Sequence, residues 1–185
     1  LRQKINRMKI ALVFLNDNDT LPSMGLAYLA SYLQRDINDI NIKIIDGCFN
    51  DVMKELFKDD FDLIGISAMT IEYTDALKLA RKIKNERDTP VIIGGVHIST
   101  LPISFKNCFD LGILGEGEQT FAEVIKSFIK YKKLNYSDLI KIDGLVFSQD
   151  SNIRVTKTRE FIEPLDSIPL PAWHLVNKDY FKRNA

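Results

Sequence analysis

Short apolar runs and amphipathic stretches alternate along the first 133 residues. Residues 9–15, Lys9-Ile10-Ala11-Leu12-Val13-Phe14-Leu15, are apolar without a break after the lysine. That pattern suits a strand buried on both faces. Residues 41–47 and the run Leu63-Ile64-Gly65-Ile66-Ser67 predict a second and a third strand. Val91-Ile92-Ile93-Gly94, bounded by Pro90 and by Gly95, predicts a fourth, because proline and paired glycines punctuate a β-branched run. Leu111-Gly112-Ile113-Leu114 predicts a fifth.

Between these runs the period changes to that of a helix. Leu26, Leu29, Ala30 and Leu33 share one face of a helix expected from residue 24 to about 34, with Ser23 able to cap it. A short helix is expected over 51–58. Another opens at Thr74 or Asp75, with Leu77, Ala80 and Ile83 inward and Lys78, Arg81, Lys82 and Lys84 outward. Phe121, Val124, Ile125, Phe128 and Ile129 mark the core face of a last helix that ends near Lys132. Strands alternating with helices predict an α/β fold with a parallel sheet and right-handed crossovers. Within that class a flavodoxin-like, Rossmann-type doubly wound sheet of five strands, in the order 2-1-3-4-5, is expected.

Beyond residue 133 the pattern breaks. Apolar runs at 143–147 and 153–156 flank Gln149-Asp150-Ser151-Asn152, which reads as a β-hairpin. Residues 161–185 carry Pro164, Pro169 and Pro171 and no clear period before Trp173, so an extended linker is expected there. The expected organisation is an α/β domain over 8–133, a hairpin extension over 134–160 and a linker over 161–185. Phe161, Trp173 and Tyr180 are candidates either for a docking surface or for packing back on the hairpin.

Composition narrows the function. With 45% hydrophobic and 27% charged residues the chain has an ordinary soluble globular make-up. Its formal net charge is zero, from 25 basic and 25 acidic residues, which argues against a general nucleic-acid binder. No apolar run is long enough for a bilayer span, so no membrane partner is expected. Two isolated cysteines, Cys48 and Cys108, suit thiols in a reducing compartment, and a cytoplasmic location is expected.

In an open parallel sheet, ligands bind outside the carboxyl ends of the strands, where the strand order reverses. The loops on that edge are residues 16–23, 67–73, 94–100 and 115–120, all rich in small, polar or glycine residues. Neither Gly-x-Gly-x-x-Gly nor Gly-x-x-x-x-Gly-Lys occurs, and no Gly-x-Ser-x-Gly elbow accompanies the two histidines, His97 and His174. A lone histidine is more often a packing residue than a ligand. Asp17 and Asp19 could suggest a metal, but neighbouring acids in a loop are more often solvated or turn-forming.

Five stretches in order carry a family resemblance. They are Met24-Gly25-Leu26-Ala27-Tyr28-Leu29-Ala30, Ile64-Gly65-Ile66-Ser67-Ala68-Met69-Thr70, Gly94-Gly95-Val96-His97, Gly115-Glu116-Gly117-Glu118-Gln119-Thr120-Phe121 and Asp166-Ser167-Ile168-Pro169-Leu170-Pro171-Ala172-Trp173. The first four resemble the N-terminal cobalamin-binding domain of radical S-adenosylmethionine enzymes; the last resembles the linker before the radical domain. The resemblance implies a corrin over the carboxyl edge, its nucleotide tail passing between loops and sheet, with Ser67, Gly94 and Gly95 at the tail groove. Candidate cofactor-contacting positions are Asp17 and Leu21 after the first strand, then Ser67, Met69, Thr70 and Tyr73 after the third. Gly94, Gly95, Val96 and His97 follow the fourth strand, and Gly115, Glu116, Gly117 and Glu118 the fifth. Glu116 and Glu118 could accept hydrogen bonds from corrin amides or from the ribose; Glu118 could equally belong to the first turn of the last helix, where a carboxylate is favourable. No catalytic residue and no protein ligand to a metal is assigned.

Two departures qualify the resemblance. Many cobalamin folds carry Asp-x-His-x-x-Gly after the first strand, and its histidine ligates cobalt; here the loop reads Asp17-Asn18-Asp19-Thr20-Leu21-Pro22. Leu21 or Met69 near the cobalt face would leave it uncoordinated or water-bound, and His97 lies on another loop. The Cys-x-x-x-Cys-x-x-Cys that holds a radical iron–sulfur cluster is also absent. The expectation is therefore an excised cobalamin module, itself inactive, from a methyltransferase or cyclase. S-adenosylmethionine and the 4Fe–4S cluster would belong to a further radical domain, and a small-molecule substrate to the interface with it. The alternative is an interaction or regulatory domain that kept the fold and lost the cofactor. Met69, Leu21 or Tyr73 filling the groove would favour that alternative; an open cleft would weaken it.

Overall fold

The computed structural model describes residues 7–15 and 21–182. Seven strands form one sheet in the order β2-β1-β3-β4-β5-β6-β7. They span β1 Met8–Phe14, β2 Ile40–Asp46, β3 Leu63–Ser67, β4 Val91–Gly94, β5 Leu111–Ile113, β6 Leu145–Gln149 and β7 Asn152–Val155. The first five pair in parallel; β6 and β7 run antiparallel to β5 and to each other. The expected order 2-1-3-4-5 is present, and the predicted hairpin extends the same sheet past β5.

Each strand splits its side chains between two cores. On β1, Ile10 and Leu12 face a cluster with α1 (Met24–Asp36) and α5 (Gly117–Tyr131), through Leu26, Ala30, Phe121 and Ile125. Ala11 and Val13 face the opposite cluster. That second cluster takes in α2 (Val52–Lys58), α3 (Tyr73–Glu86) and α4 (Val96–Thr100), through Leu56, Ala80 and Ile98. Residues 10–13 are fully buried, because alternate side chains of a central strand enter opposite layers. Burying a large aliphatic side chain of this kind is worth about 1.5–3 kcal/mol.

The hairpin turns through Asp150 and Ser151, both at positive φ (50° and 64°). That is the geometry of a two-residue turn whose twist matches the flanking strands. Its register on β5 leaves no room beside Gly112, where a Cβ would lie 2.5 Å from Val146 Cγ1. Two short helices were not expected: α4, directly after Gly95, and α6 (Tyr136–Leu139), capped by the Asn135 side chain.

The tail also departs from the expected extended linker. Ile162, Ala172, Val176 and Tyr180 are buried, and α7 (Asp179–Lys182) closes the described segment. Tyr180 packs on Ala27 of α1 and edge-on to Phe49. Its hydroxyl donates to Asp46 Oδ2 at 2.6 Å, so it packs on the end of β2 and not on the hairpin. Asp46 Oδ1 in turn accepts from Cys48 N–H. Phe161 stays largely exposed, and Trp173 is about half exposed, edge-on to Phe181.

Burial, together with the bond to and the charge of Asp46, pushes the Tyr180 phenol above its ordinary value of 10. The folded state therefore holds this proton more tightly than the unfolded chain does. The resulting stabilisation is complete below pH 10 and fades as the pH rises beyond it. Tyr180→Phe should cost about 1–3 kcal/mol at neutral pH, because Asp46 loses a buried donor. Urea unfolding of both proteins at neutral and strongly alkaline pH checks this: the gap between them should narrow in alkali.

Candidate functional site

The sheet's strand order reverses at β1 and β3, and their carboxyl ends open into a groove of about 230 Å³. Leu12 of β1, Gly65 and Ile66 of β3 and Ile92 of β4 form the floor, with Phe121 of α5. Gly25, Leu26 and Leu29 of α1 line one wall; Gly115, Glu116, Gly117 and Glu118 line the other. Ser67 and Gly94, paired in register at the ends of β3 and β4, form the rim with Gly95.

Missing side chains shape this groove. A Cβ on Gly25, Gly94 or Gly115 would meet nothing within 4 Å, so each leaves space that a larger residue would fill. Gly65 keeps the floor low, since a Cβ there would sit 3.1 Å from Leu12 Cδ2. Gly95 has a different reason to be glycine. It sits at φ 95°, ψ −176°, a region essentially confined to glycine. A Cβ there would come within 2.7 Å of the Ala68 carbonyl oxygen.

One hydroxyl joins the two glycine turns. Ser99 donates to Gly95 O at 2.9 Å and accepts the Gly115 N–H at 2.9 Å. Gly115 itself sits at φ 71°. The loops after β4 and β5 are thus held at a set separation across the groove mouth.

Glu118 lies in the first turn of α5, one of the two places expected for it. Burial pushes its carboxyl above the usual range. The backbone N–H groups of Glu118 and Gly117 pull it partly back, while the charge of Glu116 adds to the rise. Glu116 Oε2 accepts the backbone N–H of Ile162 at 2.8 Å, reaching from the groove wall to the segment after the hairpin.

Among the described residues, the remaining expected positions do not line the groove. Asp17 lies outside the described residues. Leu21 and Val96 are exposed, at 72% and 64%, and Met69 is 40% exposed; Met69 N–H donates to Glu72 Oε2. His97 is buried and stacks on Tyr73 with ring centroids 3.8 Å apart. The Ser104 hydroxyl donates to Leu101 O, so its oxygen is left to accept from His97 Nε2–H at 3.0 Å. His97 Nδ1 pairs with the Thr70 hydroxyl at 3.2 Å. Tyr73 donates to Ser104 O at 2.6 Å, and burial pushes its phenol upward. Thr70, Tyr73, His97 and Ser104 therefore form a closed polar joint between the loops after β3 and β4.

The α1 wall and Gly65 were absent from the expected contact set. Both carry a signal in hindsight. A glycine inside a β-branched strand marks a close approach, and Gly25 stands near the start of a helix where it weakens helical propensity. Ser99 carried none. Among the described residues no group of three or more His, Cys, Asp or Glu side chains could hold a metal ion, and no helix is long and apolar enough to cross a membrane.

Comparison with known proteins places these features in a family context. The model of the B12 binding domain matches residues 10–125. The uncharacterized methyltransferase PH0819 of Pyrococcus horikoshii is 34% identical over 175 residues, covering 90% of this chain and 36% of that protein. Bacteriochlorophyllide d C-8(2)-methyltransferase of Chlorobaculum tepidum is 29% identical over 133 residues, 70% of this chain and 29% of that one. The chain thus spans about a third of the length of these relatives. In fold it is similar to the radical S-adenosylmethionine methyltransferase TsrM from Kitasatospora setae, solved with cobalamin and a 4Fe–4S cluster. The TM-score is 0.67 at 20% identity, covering 85% of this chain and 30% of that one.

The raised Glu118 carboxyl has a testable sign. The fold favours its protonated form, so the ionised form works against folding once the pH rises above the ordinary carboxylate range. Glu118→Gln should stabilise the chain at pH 7, and the gain should vanish at pH 3, where both side chains are neutral. Paired denaturation curves at the two pH values read this directly.

Proposed function

Since the chain belongs to the B12-binding domain family, we propose that it is the cobalamin-holding module of a longer methyltransferase of the radical S-adenosylmethionine type. The observation that carries this reading is the glycine-lined groove at the carboxyl edge. Gly25, Gly94 and Gly115 surround it with open space, and its floor is apolar. A nucleotide tail suits the groove itself and a broad, amide-fringed corrin the open edge above it, because backbone groups and small residues can follow a flat surface without Cβ interference. Bound cobalamin would supply a cobalt able to carry a methyl group.

The chain's own residues hold and shape the site. The Ser99 bridge and the joint around His97 hold the loops open. Ser67 offers a hydroxyl at the rim, and Glu116 and Glu118 offer acceptors along one wall. The residues expected to contact the cofactor divide accordingly. Ser67, Gly94, Gly95 and residues 115–118 line the groove; Leu21, Met69 and Val96 do not and are exposed. The methyltransferase names of the relatives favour methyl transfer as the parent reaction. On this reading the substrate and a cluster-bearing radical domain lie over the same edge, and residues 161–185 lead toward that domain.

The alternative, an interaction domain that lost its cofactor, calls for side chains in the groove. Leu21 and Met69 are exposed instead, and Tyr73 is stacked on His97 outside it.

A titration with hydroxocobalamin, followed by gel filtration, tests the proposal: colour should travel with the protein. Gly94→Leu should not lower the unfolding midpoint, since its Cβ meets nothing within 4 Å, yet weaken cobalamin binding by more than about tenfold. A wild-type chain that retains no colour, or a Gly94→Leu variant that binds as well as wild type, would overturn it.

A further inference from the structure

We propose that Arg159 is a positioning residue for the cofactor-facing loop, so that docking of the segment 156–163 and occupancy of the groove are one linked equilibrium. This rests on the cobalamin reading above. The segment follows β7 and runs past the N-terminus of α5. Arg159 spreads its guanidinium over three side chains there. Nε donates to Thr120 Oγ1 at 2.8 Å, one terminal nitrogen to Gln119 Oε1 at 3.2 Å and the other to Glu123 Oε2 at 2.8 Å. Its side chain is only 16% exposed. A planar fork engaged at all three nitrogens fixes orientation in a way a lysine cannot.

The contact is relayed inward. Thr120 is fully buried, and its hydroxyl donates to Asp143 O at 3.0 Å, joining α5 to the turn before β6. Three residues beyond Arg159, the Ile162 N–H is held by Glu116 Oε2. Glu116 is itself a wall residue of the groove. From the opposite side the same loop is held by Ser99 through Gly115 N–H. Residues 115–120 are therefore fixed from two directions: by the β4 turn, which belongs to the compact sheet domain, and by the segment after the hairpin. If the second anchor is released, the wall that carries Glu116, Gly117 and Glu118 loses its outer support. By linkage, a ligand that needs the wall in place must tighten the segment by the same factor that the segment tightens the ligand.

The test has one arm with cofactor and one without. In the ligand-free chain, Arg159→Ala should speed hydrogen exchange at the Gly115 and Ile162 amides and leave the amides of β1 and β2 unchanged; Arg159→Lys should restore part of the protection. In the second arm, hydroxocobalamin should slow exchange at Ile162 in the wild-type chain, and Arg159→Ala should weaken its binding about tenfold, equivalent to about 1.4 kcal/mol. A simple loss of stability would raise exchange throughout the sheet, so a uniform rise overturns the assignment. So does unaltered exchange at Gly115 in Arg159→Ala, whatever the chain binds. If wild type binds cobalamin and the Arg159→Ala affinity is equal, the coupling fails while the cobalamin reading stands. If wild type binds none, that reading fails and the positioning role toward cobalamin falls with it, even where the exchange arm shows the wall and the segment to be coupled.

Discussion

The close passage of Gly95 against Ala68 sets the geometry of the whole carboxyl edge. β3 and β4 are paired in register through Ser67 and Gly94, so the loops that follow leave the sheet side by side. The loop after β4 turns away at Gly95, whose φ of 95° and ψ of −176° lie in a region essentially confined to glycine. Its turn starts α4, which brings Ser99 back over the sheet to hold Gly115. It also places His97 where Thr70 and Ser104 reach both ring nitrogens. The groove is the space left when these loops are tied to one another and kept from collapsing onto β1.

The glycines around that space act in two opposite ways. Gly95 and Gly112 are glycine because a side chain would collide with protein, at Ala68 and at Val146 respectively. Gly25 and Gly94 have open space where a Cβ would point, so packing alone does not require their smallness; Gly115 has the same space, but its φ of 71° already favours glycine. Glycine in helix and strand also costs backbone entropy, roughly 0.5–1 kcal/mol relative to alanine. Positions that keep glycine with no neighbour to excuse it are where a ligand's shape is the better explanation.

Much of this architecture was legible in the residues. β3 and β4 begin and end where the apolar runs and their glycines do, because period, β-branching and punctuation agree there. The helix over 73–86 follows from an apolar stripe opposite a row of lysines and arginines. What stayed hidden depends on long-range partners. The short helices α4 and α6 lack the length for a period to show. Tyr180 reads as one aromatic in a proline-rich tail, and only its meeting with Asp46, 134 residues away, gives it a place. The site divides the same way. The glycine loops announced themselves by composition, whereas the α1 wall became part of the site only through its packing across from α5. Arg159 and Ser99 sit in unremarkable sequence, since a clamp is defined by what it reaches.

Charge completes the picture of what the groove can accept. Its lining holds two carboxylates and no lysine, arginine or histidine, so it does not recognise an anion by opposite charge. Burial already disfavours ionised Glu118, and Glu116 beside it adds to the strain. A ligand portion that brings hydroxyl or amide donors would relieve both, and an apolar floor under such donors suits a ring system carrying them. The same two residues explain why the outer anchor matters. Glu116 accepts the Ile162 N–H through one oxygen, which ties that carboxylate to the segment after the hairpin. A wall made of two acids gains from an outside partner that engages one of them, and here that partner belongs to the segment Arg159 clamps in place.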